Sequence, residues 1–369
     1  MIVIWILFFI TTNGAYLSSQ NFSNLFRQMT VTALLSVGMV LVIVTGNIDL
    51  SVGRLAGFVS VVVAYLQANT WHDYLPGQPL LLTTILSILA GLGVGTLYGV
   101  AQGYIIAYLG VSAFIVTLGS MWILNGLILI QTAGKTIPSN QPIFSQIGQG
   151  YVQPDSIGWI IAGVVVVLLF YSMFSSRQRK VKYGFDLPPM YMDLAKTIFF
   201  SLLMVGYVFY VNQYSGIQNP VLLLGVIALV VSYMSNNTRF GRYAYAIGGN
   251  REAARLSGIN IKGNIFMVFV LMGFLCAVSG ITLASYVGYG TIAAGTGYEL
   301  DAIAACILGG TSTLGGVGTI FGAMIGSLIM ASLTNGLQLM NVPAAWQYVL
   351  KGLVLVVAVY ADVYFKRNR

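Results

Sequence analysis

Two short stretches place acids where the surrounding sequence is apolar. In TGNIDLSVG, residues 45–53, Asp49 lies between Asn47 and Ser51 and is flanked by glycines. In GTGYELDAIAACILGGTSTLGGVGT, residues 295–319, Glu299 and Asp301 open a short apolar run that ends in a Gly-rich turn. A carboxylate in such surroundings is costly unless it is paired, caps a helix or faces water. Asn47, Asp49, Ser51, Glu299 and Asp301 therefore read as groups that hydrogen-bond a polar solute on its way through, with Asn125, Asn335 and Gln338 as weaker candidates. The competing reading for Asp49, and equally for Glu299 and Asp301, is a cap on the helix that follows.

Covalent chemistry has little support. His72 is the sole histidine and stands beside Asp73 in a short connection, where it reads as a surface residue. No Ser/His/Asp set, metal cluster or credibly spaced acid pair occurs. Cys276 and Cys306 each fall inside an apolar run and read as small core residues rather than a disulfide or metal ligands.

The elements that must hold these groups follow from composition. Of the 369 residues 57% are hydrophobic and only 7% charged, with a mean hydropathy of +0.86. Such a chain cannot cover a soluble surface, and apolar runs of about 20 residues recur along its whole length. The runs are continuous rather than alternating, which excludes a β-barrel. The expected fold is all-α: a polytopic transmembrane helical bundle forming one domain over residues 1–369. Spans are expected near 1–12, 31–45, 52–69, 80–107, 112–131, 157–174, 195–213, 220–235, 264–287, 298–308, 317–335 and 345–365. The first is short for a span, and 45–53 and 295–319 read as interrupted or re-entrant helices. Gly-broken segments in corresponding parts of two halves raise the question of an internal repeat around a transport path. The connection 132–158, TAGKTIPSNQPIFSQIGQGYVQPDSIG, is polar with three prolines. It reads either as a capping surface for an external partner or as a passive loop.

Charge orients the bundle. With the amino terminus inside, fourteen of the seventeen Lys and Arg residues, Arg54 and Arg369 among them, fall on the inner side, and only Arg27 and Lys135 fall outside. Lys351 remains within the last span. The net charge of +8 thus belongs to cytoplasmic loops, and nucleic acid is not an expected partner. Five basic residues crowd into RFGRYAYAIGGNREAARLSGINIK, residues 239–262. There Gly248 and Gly249 break an incoming helix, and Asn250 caps a short helix from Arg251 to Ser257 with Glu252 in its first turn and Gly258 as its stop. Ala253 and Ala254 permit close approach, while Arg251 and Arg255 share a face. A helix of about two turns needs a partner surface. That surface is either a docked protein or anionic lipid headgroups.

FGRYAYAIGGNREAARLSGI at 240–259, AGTGYELDAIAACILGGTSTLGGVGT at 294–319 and TGNIDLSVG at 45–53 together resemble the membrane permease subunits of bacterial ABC sugar importers, the ribose, xylose, galactose and arabinose systems. The resemblance covers nearly the whole chain. YGFDLPP at 183–189, with the two spans around it, resembles an insertion of xylose-type members. The abrupt start at Met1 departs from the longer leader and fuller first helix usual in the family. The resemblance implies a multi-pass protein of the bacterial inner membrane with both termini cytoplasmic, paired in the membrane as a homodimer or with a sibling chain. Its implied partners are a cytoplasmic ABC ATPase, which takes the ATP and magnesium, and an extracytoplasmic sugar-binding protein. The chain itself has no Walker motif and no expected cofactor. Residues 248–258 would form the ATPase-docking helix. An ion-coupled secondary transporter, with Asp49, Glu299, Asp301 and Lys351 as its relay, is the alternative. A reporter fused after Lys262 is expected to be cytoplasmic; an extracytoplasmic signal would overturn the tracing.

Overall fold

Lipid offers the backbone no hydrogen-bond partners, so long apolar runs must close their bonds within themselves as helices. The computed structural model describes residues 1–75, 77–185 and 187–367, without the side chains of His72, Ala361, Phe365, Lys366 and Arg367. Asp186 of the YGFDLPP stretch, Arg369 of the basic tally and the His72 side chain therefore lie outside the described residues. Among those described, ten helices are long and apolar enough to cross a membrane.

In chain order, a short α1 (Ile2–Thr11) precedes α2 (Ser19–Val44) and α3 (Val52–Tyr65). A π-turn at Leu66–Thr70 carries α3 into the small α4 (Trp71–Tyr74). Next come α5 (Leu80–Ala107), α6 (Ala113–Thr132), β1 (Ile137–Pro138), α7 (Pro142–Gln149), α8 (Asp155–Lys182) and α9 (Met190–Asn212). They are followed by α10 (Asn219–Asn237), α11 (Arg239–Gly249), α12 (Arg251–Leu256), α13 (Ile261–Val287) and β2 (Tyr289–Gly290). The chain closes with α14 (Tyr298–Leu308), α15 (Ile320–Leu339) and α16 (Ala344–Arg367). The all-α polytopic expectation holds, and its two short segments are α1 and α14.

The core lies where α2, α3 and α5 pack around α13. Small residues set the spacing. Gly91, Gly95, Gly99 and Gly103 recur every four residues along α5 and face α13, where a Cβ on Gly99 would lie 2.9 Å from Gly273 Cα. Without a hydrophobic drive between helices in lipid, such close approach supplies the packing. By contrast α8 and α9 pack mainly on each other, and Arg177 pairs with Asp193 across the base of their hairpin.

Three places differ from the sequence expectation. α2 begins at Ser19 rather than near 31, because its polar first turns are bonded to α15: Asn21 and Asn335 exchange amide hydrogen bonds of 2.8 and 3.1 Å. The 132–158 connection is ordered and packed on the bundle. It contains α7, whose Phe144 is fully buried and accepts a 2.7 Å hydrogen bond from Ser285 of α13, and β1, which pairs with β2. Arg54, counted with the inner loops, instead lies in the first turn of α3 and donates to the carbonyls of Ile292 and Ala294 at 3.0 and 3.1 Å. The break at 45–51 turns the chain back into the bundle before α3 starts, which carries Arg54 inward.

Substituting Gly99 with Leu is expected to cost about 1–3 kcal/mol or more, since backbone rather than a flexible side chain stands in the way. Gly93→Ala on the same helix, where an added Cβ has open space, is the control. Thermal unfolding in detergent reads the difference; equal midpoints would contradict the packing role.

Candidate functional site

Two sites emerge, one on the face that carries residues 239–262, called here the basic face, and one towards the opposite, far face.

On the basic face the hydroxyl of Thr238 caps α11, which runs on through both Gly248 and Gly249. The expected break therefore comes one residue later, at Asn250. Gly248 is needed for contact: a Cβ there would collide with the Val44 carbonyl at the end of α2 and lie 2.6 Å from the Gly316 amide. That amide donates to the same Val44 carbonyl at 2.9 Å. Side-chain-free backbone thus joins α11, α2 and the loop ahead of α15 at one point. Gly249 has open space around it.

Asn250 is extended, and its Oδ1 accepts from Ala253 N at 3.0 Å, which starts α12. Glu252 occupies the first turn and pairs with Arg255 at 2.9 Å, both largely exposed, so the pair adds little stability. At the far end Ser257 Oγ donates to Ala253 O at 2.9 Å. Gly258 takes a left-handed φ of +77°. Its N–H reaches Arg255 O at 3.0 Å and that of Ile259 reaches Ala254 O at 3.1 Å, the two bonds of a Schellman stop. Ala254 is buried on the bundle, whereas Arg251, Ala253 and Ser257 are exposed and Leu256 is 82% exposed. α12 is thus a doubly capped helix of six residues that holds a bare leucine away from the bundle.

The second site is a cavity of about 190 Å³ lined by the middle of α2, the far-face ends of α13 and α15, the first turn of α14 and the first half of α16. Gln28, Thr32, Tyr298, Asp301, Gln338 and Lys351 are among its lining residues. Asp301 accepts from Lys351 Nζ at 2.8 Å, and only 8% of the Asp301 side chain and 20% of that of Lys351 are exposed. Gln28 Nε2 donates to Gln338 Oε1 at 3.3 Å on the opposite wall. A smaller, more apolar cavity of about 120 Å³ lies on the other side of the ion pair, against Tyr348 and Leu355.

The path candidates read from sequence do not gather in one place. Asn47 donates to the hydroxyl of Thr45 at 3.0 Å, within its own turn. Asp49, 3% exposed, accepts from the Ser51 amide at 2.8 Å and from its hydroxyl at 2.6 Å, closing the turn that begins α3. Ser51 Oγ also lies 3.2 Å from Gln102 Oε1. Asn125 is half-buried on α6, which packs on α3 and α5. Glu299 turns toward Gly53 in α3, and its Oε2 is buried without a hydrogen-bond partner among the described residues. Of the six, Asp301 alone lines the cavity; Gln338, a weaker candidate, joins it, while Asn335 is held by Asn21 and Gln28. Gln28, Thr32 and Tyr298 escaped the sequence reading. Their signal was present as polar residues one turn apart, Gln28 with Thr32 and Tyr298 with Asp301, on otherwise apolar helices. Among the described residues no group of His, Cys, Asp and Glu could hold a metal ion.

Residues 21–359 match the family described as "Branched-chain amino acid transport system / permease component". The chain belongs to that permease family. It is an ABC sugar-importer type of permease by its relatives. It is 42% identical over 368 residues to the xylose transport system permease protein XylH of Escherichia coli K12, covering 100% of this chain and 91% of that protein. The XylH protein of Haemophilus influenzae is 40% identical over 367 residues, 99% of this chain and 95% of its own. The ribose import permease protein RbsC of Escherichia coli K12 is 32% identical over 353 residues, 95% and 88% of the two chains. No solved structure matches. In this family member the multi-pass bundle is that of a transport permease.

Replacing Asn250 with Ala is expected to cost about 1 kcal/mol of capping, confined to α12. Hydrogen exchange at residues 251–256 should rise while the global unfolding midpoint holds; unchanged exchange there would show that the cap is not what orders the helix.

Proposed function

We propose that this chain is the membrane subunit through which an ATP-driven importer passes a monosaccharide, D-xylose foremost, across the bacterial inner membrane into the cytoplasm. The observation that carries this reading is the doubly capped α12, exposed on the basic face and fixed through Gly248 to the end of α2 and the loop ahead of α15. It offers a separate ATPase a rigid handle on two of the helices that wall the polar cavity. The names of the relatives supply the solute, xylose before ribose.

In this reading two copies of the chain pair in the membrane, each gripped by one ATPase that binds ATP and magnesium. A sugar-binding protein delivers its load at the far face, which is extracytoplasmic. The basic face and both termini are cytoplasmic, in keeping with the Lys and Arg distribution. Closure of the ATPases drives α12, α11 moves with it, and the Val44–Gly316 contact passes the displacement to α2 and α15. The cavity then exchanges access from the far face to the basic face, and the sugar leaves down its own path. No bond is made or broken in this chain.

An ion-coupled relay through Asp49, Glu299, Asp301 and Lys351 has weaker support. Asp49 is held by the Ser51 amide and hydroxyl and Asp301 is paired with Lys351; Glu299 alone of the three has an unpartnered carboxylate oxygen among the described residues, and one such group does not make a relay.

Gly258→Pro removes the left-handed turn and the bond to Arg255 O, a local loss of about 1–3 kcal/mol, and Glu252→Lys places a cation at the amino end of α12. Both variants should fold, insert and leave ATP hydrolysis running while uptake falls. Wild-type uptake in both would count against α12 as the coupling element.

A further inference from the structure

A lysine and an aspartate held together within a membrane bundle need a reason. An apolar pair of the same volume is often as stable or more so, because neither charge then has to leave water. The Asp301–Lys351 pair also does not knit together a wider network: among the described residues each side chain makes one hydrogen bond, the one to the other. What distinguishes it is its position, for both side chains line the 190 Å³ cavity and both line the smaller cavity behind it.

We propose that this cavity is the intramembrane monosaccharide site and that Asp301 and Lys351 are its hydroxyl-recognising residues, a proposal that rests on the import reading above. The volume decides the scale. At about 190 Å³ it is more than ten times the roughly 10–15 Å³ that one water needs on this measure, room for one small polyol and not for an oligomer. The charges decide the class. The carboxylate and ammonium already neutralise each other, so a cation or an anion would gain one partner and meet the other's repulsion. A neutral ring with adjacent hydroxyls suits both, donating to the carboxylate and accepting from the ammonium. Gln28, Gln338 and Thr32 add donors and acceptors on the facing wall, and the rings of Tyr286 and Tyr298 offer apolar faces to the C–H side of a sugar. These groups are carried by α2, α13, α14, α15 and α16, so motion of α2 and α15 from the basic face changes the cavity's shape directly.

The test uses the full importer, permease with its ATPase and sugar-binding protein, in proteoliposomes with radiolabelled D-xylose and D-ribose. The variants are Asp301→Asn, Lys351→Gln and the double substitution, and copurification with the ATPase as a monodisperse complex reports folding. Each single variant should lose uptake by about tenfold or more, as expected where a site built to bond hydroxyls loses a partner. The double variant, which leaves no unpaired charge, should recover folded yield but not uptake, and its xylose-to-ribose ratio should shift. If the double variant recovers both yield and uptake with the wild-type ratio, the pair is structural and the proposal fails. Failure of the wild-type complex to take up any sugar with ATP would instead strike the import reading, before the site is reached.

Discussion

The bundle depends on one constraint: wherever a helix stops inside the apolar layer, its freed backbone groups must find partners in the protein. Three breaks between helices are closed in this way. The carbonyl of Val44, left over where α2 ends, accepts from Gly316 in the loop ahead of α15. The carbonyls of Ile292 and Ala294 accept from Arg54 in the first turn of α3. Ser51, at the start of α3, closes on Asp49. These junctions need backbone against backbone, which is why Gly248, Gly295 and Gly309 stand where any Cβ would collide with a carbonyl. The ends of α2, α3 and α14 are thus held by protein backbone and side chains rather than left open.

The same constraint ties the two sites to one another. Gly248 belongs to α11, which continues into the exposed α12, and it touches the junction of α2 with the loop before α15. α2 supplies Gln28 and Thr32 to the cavity, and α15 supplies Thr334 and Gln338. A force applied to α12 thus meets, one contact later, two helices of the cavity wall. Under the proposed function this is the mechanical link between nucleotide and solute, with the rigid caps at Asn250 and Gly258 keeping the small helix from dissipating the motion.

Much of this was legible in the chain. The apolar runs gave the class, and the punctuation Asn250, Glu252, Gly258 gave α12 to within a residue, because caps are local chemistry. Glycine was read correctly as a sign of special backbone but not for its position: Gly248 and Gly249 look like a break, yet α11 runs through them, since the requirement at Gly248 comes from a neighbour far away in sequence. The polar start of α2 looks like a loop for a similar reason, as Asn21 and Gln28 find their long-range partners on α15, Asn335 and Gln338. The cavity was the least legible part. Asp49 and Asp301 look alike in sequence, but Asp49 spends its oxygen on the next turn, whereas Asp301 meets Lys351 from fifty residues on. Only tertiary structure separates a cap from a lining group.

The central claim is that this bundle moves a neutral sugar only when an external nucleotide engine works it from the basic face. Uptake of radiolabelled D-xylose into proteoliposomes, measured with ATP inside and ion gradients collapsed and then with gradients present and ATP withheld, tests it most directly. The account predicts accumulation in the first condition, dependent on the added ATPase and binding protein, and none in the second. Accumulation by the purified chain alone on a proton or sodium gradient would contradict it.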